Sequence, residues 1–166
     1  MTTNPVATGS SRLGHPPSLC LVIPCYNEET VLPMLVEHLV RFIRTQPHPV
    51  KVLLVDDGSR DRTFPLIEQA CRTYPEIAGV RFSRNFGHQT AVSAGLQLAC
   101  GDVVAVLDAD LQDPVDVVPR MLAKWEEGYD VVYGVRQNRK EGWLLRSCYA
   151  LFYRLLKRIA NIDLPL

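Results

Sequence analysis

The chain has 166 residues, 47% of them hydrophobic and 22% charged, enough for about one domain with a substantial core. Its 18 basic and 18 acidic side chains cancel to a formal net charge of zero, which argues against a nucleic-acid binder. No apolar stretch reaches the roughly 18–20 residues of a bilayer-spanning helix, and the five cysteines, with no Cys-x-x-Cys pair, read as reduced, mostly buried thiols of a cytosolic protein.

Residues 1–17 are rich in Ser, Thr, Pro and Gly, lack a signal-peptide core, and are predicted to be a disordered tail. A first strand is expected over Leu19–Ile23, followed by a helix over Glu29–Ile43 with Val31, Leu32, Leu35, Leu39 and Phe42 at helical spacing. A strand over Lys51–Val55, a helix over Arg62–Tyr74, a strand over Gly79–Phe82 and a helix over Gln89–Ala99 come next. Strands over Val103–Leu107 and Asp130–Val135 flank a helix over Val115–Glu127. This alternation predicts right-handed crossovers and an α/β fold with a doubly wound, mainly parallel sheet.

Residues 18–136 therefore read as the core domain, and residues 137–166 as a basic amphipathic segment. From Arg136 onward, Arg136, Arg139, Lys140, Arg146, Arg154, Lys157 and Arg158 interleave with Trp143, Tyr149, Phe152 and several leucines. Two readings stay open: a helix lying on an anionic membrane surface, or a packed helix with a solvated basic face. The sequence stops at Asp163-Leu164-Pro165-Leu166 without a closing element, so a longer parent protein is expected.

The chemistry is expected where strands end, because ligands of open α/β sheets bind at that edge. Asp108-Ala109-Asp110 follows the apolar run from Val103, and Gln112 comes two residues later. Two carboxylates and an amide so placed suit a hard divalent cation that keeps positions open for phosphate oxygens. Asp113-Pro114 and Asp116 read instead as the start of the next helix. After the first strand, Pro24 is expected to turn the chain, Tyr26 to stack on a base and Glu28 to accept from a sugar or base; Asn27 also suits a helix N-cap. Asp56-Asp57-Gly58-Ser59 closes the second strand, with more carboxylates than one cap requires, so one is expected to face the crevice. In Arg84-Asn85-Phe86-Gly87-His88, outward backbone N–H groups at a helix start are expected to suit an anion. Neither a Walker motif nor Gly-x-Gly-x-x-Gly is present, and His88 reads more readily as a surface residue than as a base.

The ordered set Pro24-x-Tyr26-Asn27-Glu28, Asp56-Asp57-Gly58-Ser59-x-Asp61-x-Thr63, Arg84-Asn85-x-Gly87 and Asp108-Ala109-Asp110-Leu111-Gln112-Asp113-Pro114 resembles the family 2 inverting glycosyltransferases with the A-type nucleotide-sugar fold. Gly134-Val135-Arg136-x-Asn138-Arg139 and the basic aromatic segment resemble its polyprenyl-phosphate branch, the dolichyl- and undecaprenyl-phosphate sugar transferases. The resemblance runs from about Leu19 to the end. It implies that Pro24, Tyr26, Glu28, Val55 and Asp57 hold the nucleoside. Asp108, Asp110 and Gln112 would hold Mg²⁺ or Mn²⁺ and the diphosphate, with Ala109 beside them. Arg136 matches a phosphate-binding arginine, and Arg146 a second one. Many members have Lys where this chain has His88.

The implied activity moves a hexose from a nucleoside-diphosphate sugar, UDP-glucose or a relative, to a polyprenyl phosphate at the cytoplasmic membrane face. Full-length members of the bacterial branch commonly carry transmembrane helices. Homo-oligomerisation is left open. The rivals are a nucleotide-binding domain without turnover and an Asp-x-Asp phosphohydrolase. In the latter the acidic pair usually follows the first strand, whereas here it follows the fourth.

Overall fold

The computed structural model describes residues 13–111 and 115–134. The chain groups into two units, Met1–Val132 and Tyr133–Leu166, and the fold below is that of the first. Strands β1 (Leu19–Cys25), β2 (Val50–Asp56), β3 (Ile77–Arg81) and β4 (Val103–Val106) form one parallel sheet in the order β3-β2-β1-β4. Helices α1 (Leu32–Thr45), α2 (Thr63–Thr73) and α3 (His88–Leu98) are the crossovers. After β4, a 3-10 turn at Val115–Val117 leads into α4 (Val118–Glu126).

The central strand β1 is buried along its whole length, because both edges are paired and both faces are covered. Its alternation divides the core. Leu19, Leu21 and Ile23 join Val50, Val52, Leu54 and the inner faces of α1 and α2. Cys20 and Val22 join Leu53, Val55 and Ala91 beneath α3. Helix α1 buries Leu32, Leu35, Leu39 and Phe42, a single stripe at i, i+3, i+7 and i+10. Helix α3 comes so close to the sheet that a Cβ on Gly95 would overlap Val22 Cγ1. The doubly wound expectation is thus met, with shifts of one to three residues at element ends.

Three expectations need correction. Pro24 does not turn the chain; β1 continues to Cys25, with Pro24 opposite Val55. Val22 O accepts Leu107 N, so even-numbered positions of β1 face β4, which has ended by the level of Pro24. No ladder bond is lost there. A fifth strand over 130–135 is not formed in its described part, residues 130–134. Val131 and Tyr133 are 79% and 78% exposed, and among the described residues no strand pairs with them; β propensity alone does not make a ladder. Finally, Cys20 and Cys25 are buried free thiols but Cys100, at the α3–β4 turn, is exposed. Among the described residues no helix is long and apolar enough to cross a membrane.

Candidate active site

The acidic group sits in the segment that leaves β4. Leu107 and Ala109 are buried in the core, while Asp108 and Asp110 between and after them are exposed. Leu111 then adopts φ 60°, the left-handed region. For a side chain with a Cβ this costs on the order of 1 kcal/mol. The left-handed residue follows directly after the second acid, in the turn beyond β4.

Asp108, Ala109 and Asp110 line a cavity of about 340 Å³ at the carboxyl edge of the sheet. Pro24, Cys25, Tyr26 and Glu28 from the end of β1, Asp57 from β2, and Asn85, His88 and Ala91 from the β3–α3 turn complete the wall. Seven positions singled out in the sequence are therefore brought together: Pro24, Tyr26, Glu28, Asp57, Asp108, Ala109 and Asp110. Val55 is not among them; its side chain is fully buried beneath α3. Gln112, Asp113, Arg136 and Arg146 lie outside the described residues.

The two adjacent aspartates of β2 divide the labour. Asp56 is fully buried, accepts Ser59 N at 3.0 Å, and has Arg81 Nε 3.2 Å from its other oxygen. Arg81 also donates to Ser59 O and stacks over Phe64. Asp57, 2% exposed, accepts Phe86 N at 2.7 Å on Oδ1 and Gly87 N at 3.0 Å on Oδ2. Two of the N–H groups expected to face an anion therefore face Asp57 instead. Its carboxylate ties the β3–α3 turn to the end of β2. Gly58 (φ 67°) lets that turn come in, since any Cβ there would strike the Arg84 and Asn85 backbone.

Asn27 does not cap α1, which begins only at Leu32 without a side-chain cap. It sits at φ 55°, donates its N–H to Ser59 Oγ, and accepts Arg60 N on Oδ1. Its short amide makes the left-handed conformation tolerable and fastens the β1–α1 loop to the β2–α2 loop.

Charge accumulates at the mouth of the cavity. Burial, then the charges on Asp110 and Asp61, hold the Glu28 carboxyl above its ordinary value. Burial, then Glu28 and Asp56, push the Cys25 thiol up to about 12, so it stays protonated at neutral pH and is no nucleophile. His88 Nε2 lies 3.8 Å from Asp108 Oδ1, both side chains being about half exposed. His88, expected at the surface, and Asn85 and Cys25, not expected in the donor site, also line the cavity. Their signals are positional: Cys25 ends β1, Asn85 lies one turn before α3 and His88 begins it. Among the described residues, no three His, Cys, Asp or Glu side chains cluster tightly enough to enclose a metal by themselves.

The sequence profile of glycosyl transferase family 2 matches residues 20–162. The chain belongs to that family. It is 41% identical over 147 residues to an uncharacterised glycosyltransferase of Bacillus subtilis, covering 88% of this chain and 46% of that one. It is 36% identical over 144 residues to the bactoprenol glucosyl transferase of Shigella phage SfX, covering 86% and 47%. The chain thus spans about half the length of these curated family members. Among solved structures it resembles a Pyrobaculum calidifontis mannosyltransferase in complex with GDP-mannose and Mn²⁺ (25% identity, TM-score 0.55, 78% of this chain and 37% of that one). Staphylococcus aureus TarS in complex with UDP-GlcNAc shares the fold at 20% identity and TM-score 0.55, over 75% of this chain and 37% of that one. The four-stranded parallel sheet with its helices is the A-type glycosyltransferase fold.

Proposed function

We propose that this chain is the donor-binding part of a protein that transfers a hexose, from UDP-glucose or a close relative, to a polyprenyl phosphate at the cytoplasmic membrane face, with inversion at the anomeric carbon. The observation that carries this reading is the convergence of Asp108 and Asp110 with Tyr26, Glu28 and Asp57 on one cavity. The bactoprenol glucosyl transferase of phage SfX supports the lipid branch, and the GDP-mannose and Mn²⁺ complex of the Pyrobaculum enzyme supports a nucleotide sugar with a divalent ion. Because the chain spans about half of its curated relatives, transfer is proposed for the whole protein and nucleotide binding for this chain.

In this reading Tyr26 offers its half-exposed ring to the base, Glu28 accepts from the nucleoside, and Asp57 holds the turn that carries Asn85 and His88. Asp108 and Asp110 fit a hard cation. They are oxygen donors on one face, and the raised Glu28 carboxyl marks negative charge that a cation would offset. Two carboxylates supply part of such a shell, and Gln112, phosphate oxygens and water would supply the rest. Mg²⁺ or Mn²⁺ bound there would offset the charge growing on the departing diphosphate.

The acceptor phosphate has a second pKa near ~6 and is largely dianionic at neutral pH, so it attacks without a strong general base. One of its oxygens forms the bond to the anomeric carbon as the bond to the diphosphate breaks on the opposite side. No protein nucleophile is required, in keeping with the protonated Cys25 thiol. Arg136 and Arg146, with Arg139 and Lys140, are proposed from sequence to offset repulsion between the two phosphates. The test is an assay of full-length protein with labelled UDP-glucose and undecaprenyl phosphate. Organic-extractable label is expected, falling at least ~100-fold in Asp110→Asn, the scale of losing one electrostatic stabiliser. Transfer only to soluble sugars, or near-normal transfer by Asp110→Asn, would overturn the reading.

A further inference from the structure

We propose that Asp61 and Thr63 are positioning residues that set nucleotide affinity by holding Glu28 from behind; this rests on the donor-site reading above. Helix α1 does not cap its own approach. The loop before it is bound from outside, by the start of α2. Thr63 Oγ1 accepts Glu28 N at 2.7 Å and donates to Asp61 Oδ1 at 2.6 Å. Asp61 Oδ1 also accepts Thr63 N at 2.9 Å, and Oδ2 accepts Glu29 N at 3.1 Å. Glu29 answers by accepting Arg62 N at 3.0 Å.

The directions matter. The Thr63 hydroxyl proton is committed to the carboxylate, so an oxygen lone pair is left for the Glu28 N–H. Thr63 is fully buried, so removing its hydroxyl takes from the Glu28 N–H the acceptor it has in the fold. Glu28 meanwhile lines the cavity and feels the charge of Asp110. Neither Asp61 nor Thr63 lines the cavity, so neither touches a nucleotide there. Thr63 acts through the backbone at Glu28; Asp61 acts through the Glu29 N–H and the Thr63 hydroxyl, and its charge is also felt by the Glu28 carboxyl.

Calorimetric titration of the chain with UDP and with GDP, each with MnCl₂, tests the inference. Thr63→Val keeps the shape and removes the hydroxyl; Kd is expected to rise about tenfold, the equivalent of one lost hydrogen bond. Thr63→Ser should stay within about twofold of wild type. Asp61→Asn, at a more open position, should weaken binding in the same direction and decides the matter if Thr63→Val does not fold. Ile67→Val, in the core under the same helix, lowers stability without touching the loop and should leave Kd unchanged.

An unaltered Kd in Thr63→Val or Asp61→Asn, while wild type binds, overturns the inference and leaves the donor site standing. An equal loss in Ile67→Val reduces the effect to general destabilisation and overturns it too. No binding by wild type overturns the donor-site reading, and the inference falls with it.

Discussion

Asp57→Asn separates architecture from ligand chemistry, because its main effect is expected with no nucleotide present. The carboxylate is 2% exposed and takes two backbone N–H groups, at 2.7 and 3.0 Å. Hydrogen bonds to a charged group contribute about 1.5–3 kcal/mol each, and a buried donor left unpaired costs about 1–3 kcal/mol. An asparagine can accept one of the two N–H groups, but it turns its own NH₂ toward the other. The sum is one charge-assisted bond weakened and one replaced by facing donors, about 2–4 kcal/mol. For a chain of this size each kcal/mol moves Tm by about 2–4 °C, so a fall of roughly 5–15 °C is expected. Urea denaturation gives the free energy, and amide exchange should show Phe86 and Gly87 losing protection before the β1 and β2 ladder does. A loss below about 0.5 kcal/mol, the scale of an unremarkable surface change, would refute the claim that Asp57 holds the β3–α3 turn.

Other outcomes follow from the same geometry. Glu28 has a folded pKa raised above its unfolded value, so its contribution to stability is greatest at low pH and falls as pH rises from the unfolded value of about 4.3. Glu28→Gln should therefore be more stable than wild type at pH 7 and lose that advantage near pH 4; denaturation midpoints at the two pH values check it, and an equal difference at both would contradict the assignment. For Asp61, burial opposes the charge, but bonds from Thr63 and the Glu29 N–H outweigh it and hold the pKa low. Its contribution is present above the unfolded value of about 3.9 and fades as pH falls further, so the acid limb of wild type should be steeper than that of Asp61→Asn. Gly95→Ala should lose about 1–3 kcal/mol by overpacking against Val22, despite the better helix propensity of alanine; a gain in urea midpoint would show that α3 can back away. In the native protein Cys100 should alkylate readily while Cys25, buried with its pKa near 12, resists, as peptide mass mapping would show.

The sequence determined the order of the elements and the position of the acids. Apolar runs such as Leu19–Ile23 and the 3.6-residue stripe of α1 are local signals, and parallel β-α alternation leaves few topologies. From that alone Pro24, Tyr26, Glu28, Asp57, Asp108 and Asp110 could be placed at one sheet edge, and the structure puts all six on one cavity. What the tertiary structure decided was which partner each polar group meets. Asp56 and Asp57 are alike in sequence, but one pleat sends the first to Ser59 and Arg81 and the second to the Phe86–Gly87 backbone. Pro24 stays in its strand because the neighbour on its side has ended, and Val131–Tyr133 is no strand because, among the described residues, none pairs with it. Asn27, Asp61 and Thr63 hold groups some thirty residues away, and no local spacing encodes a hydrogen bond that exists only once two loops have been folded against each other.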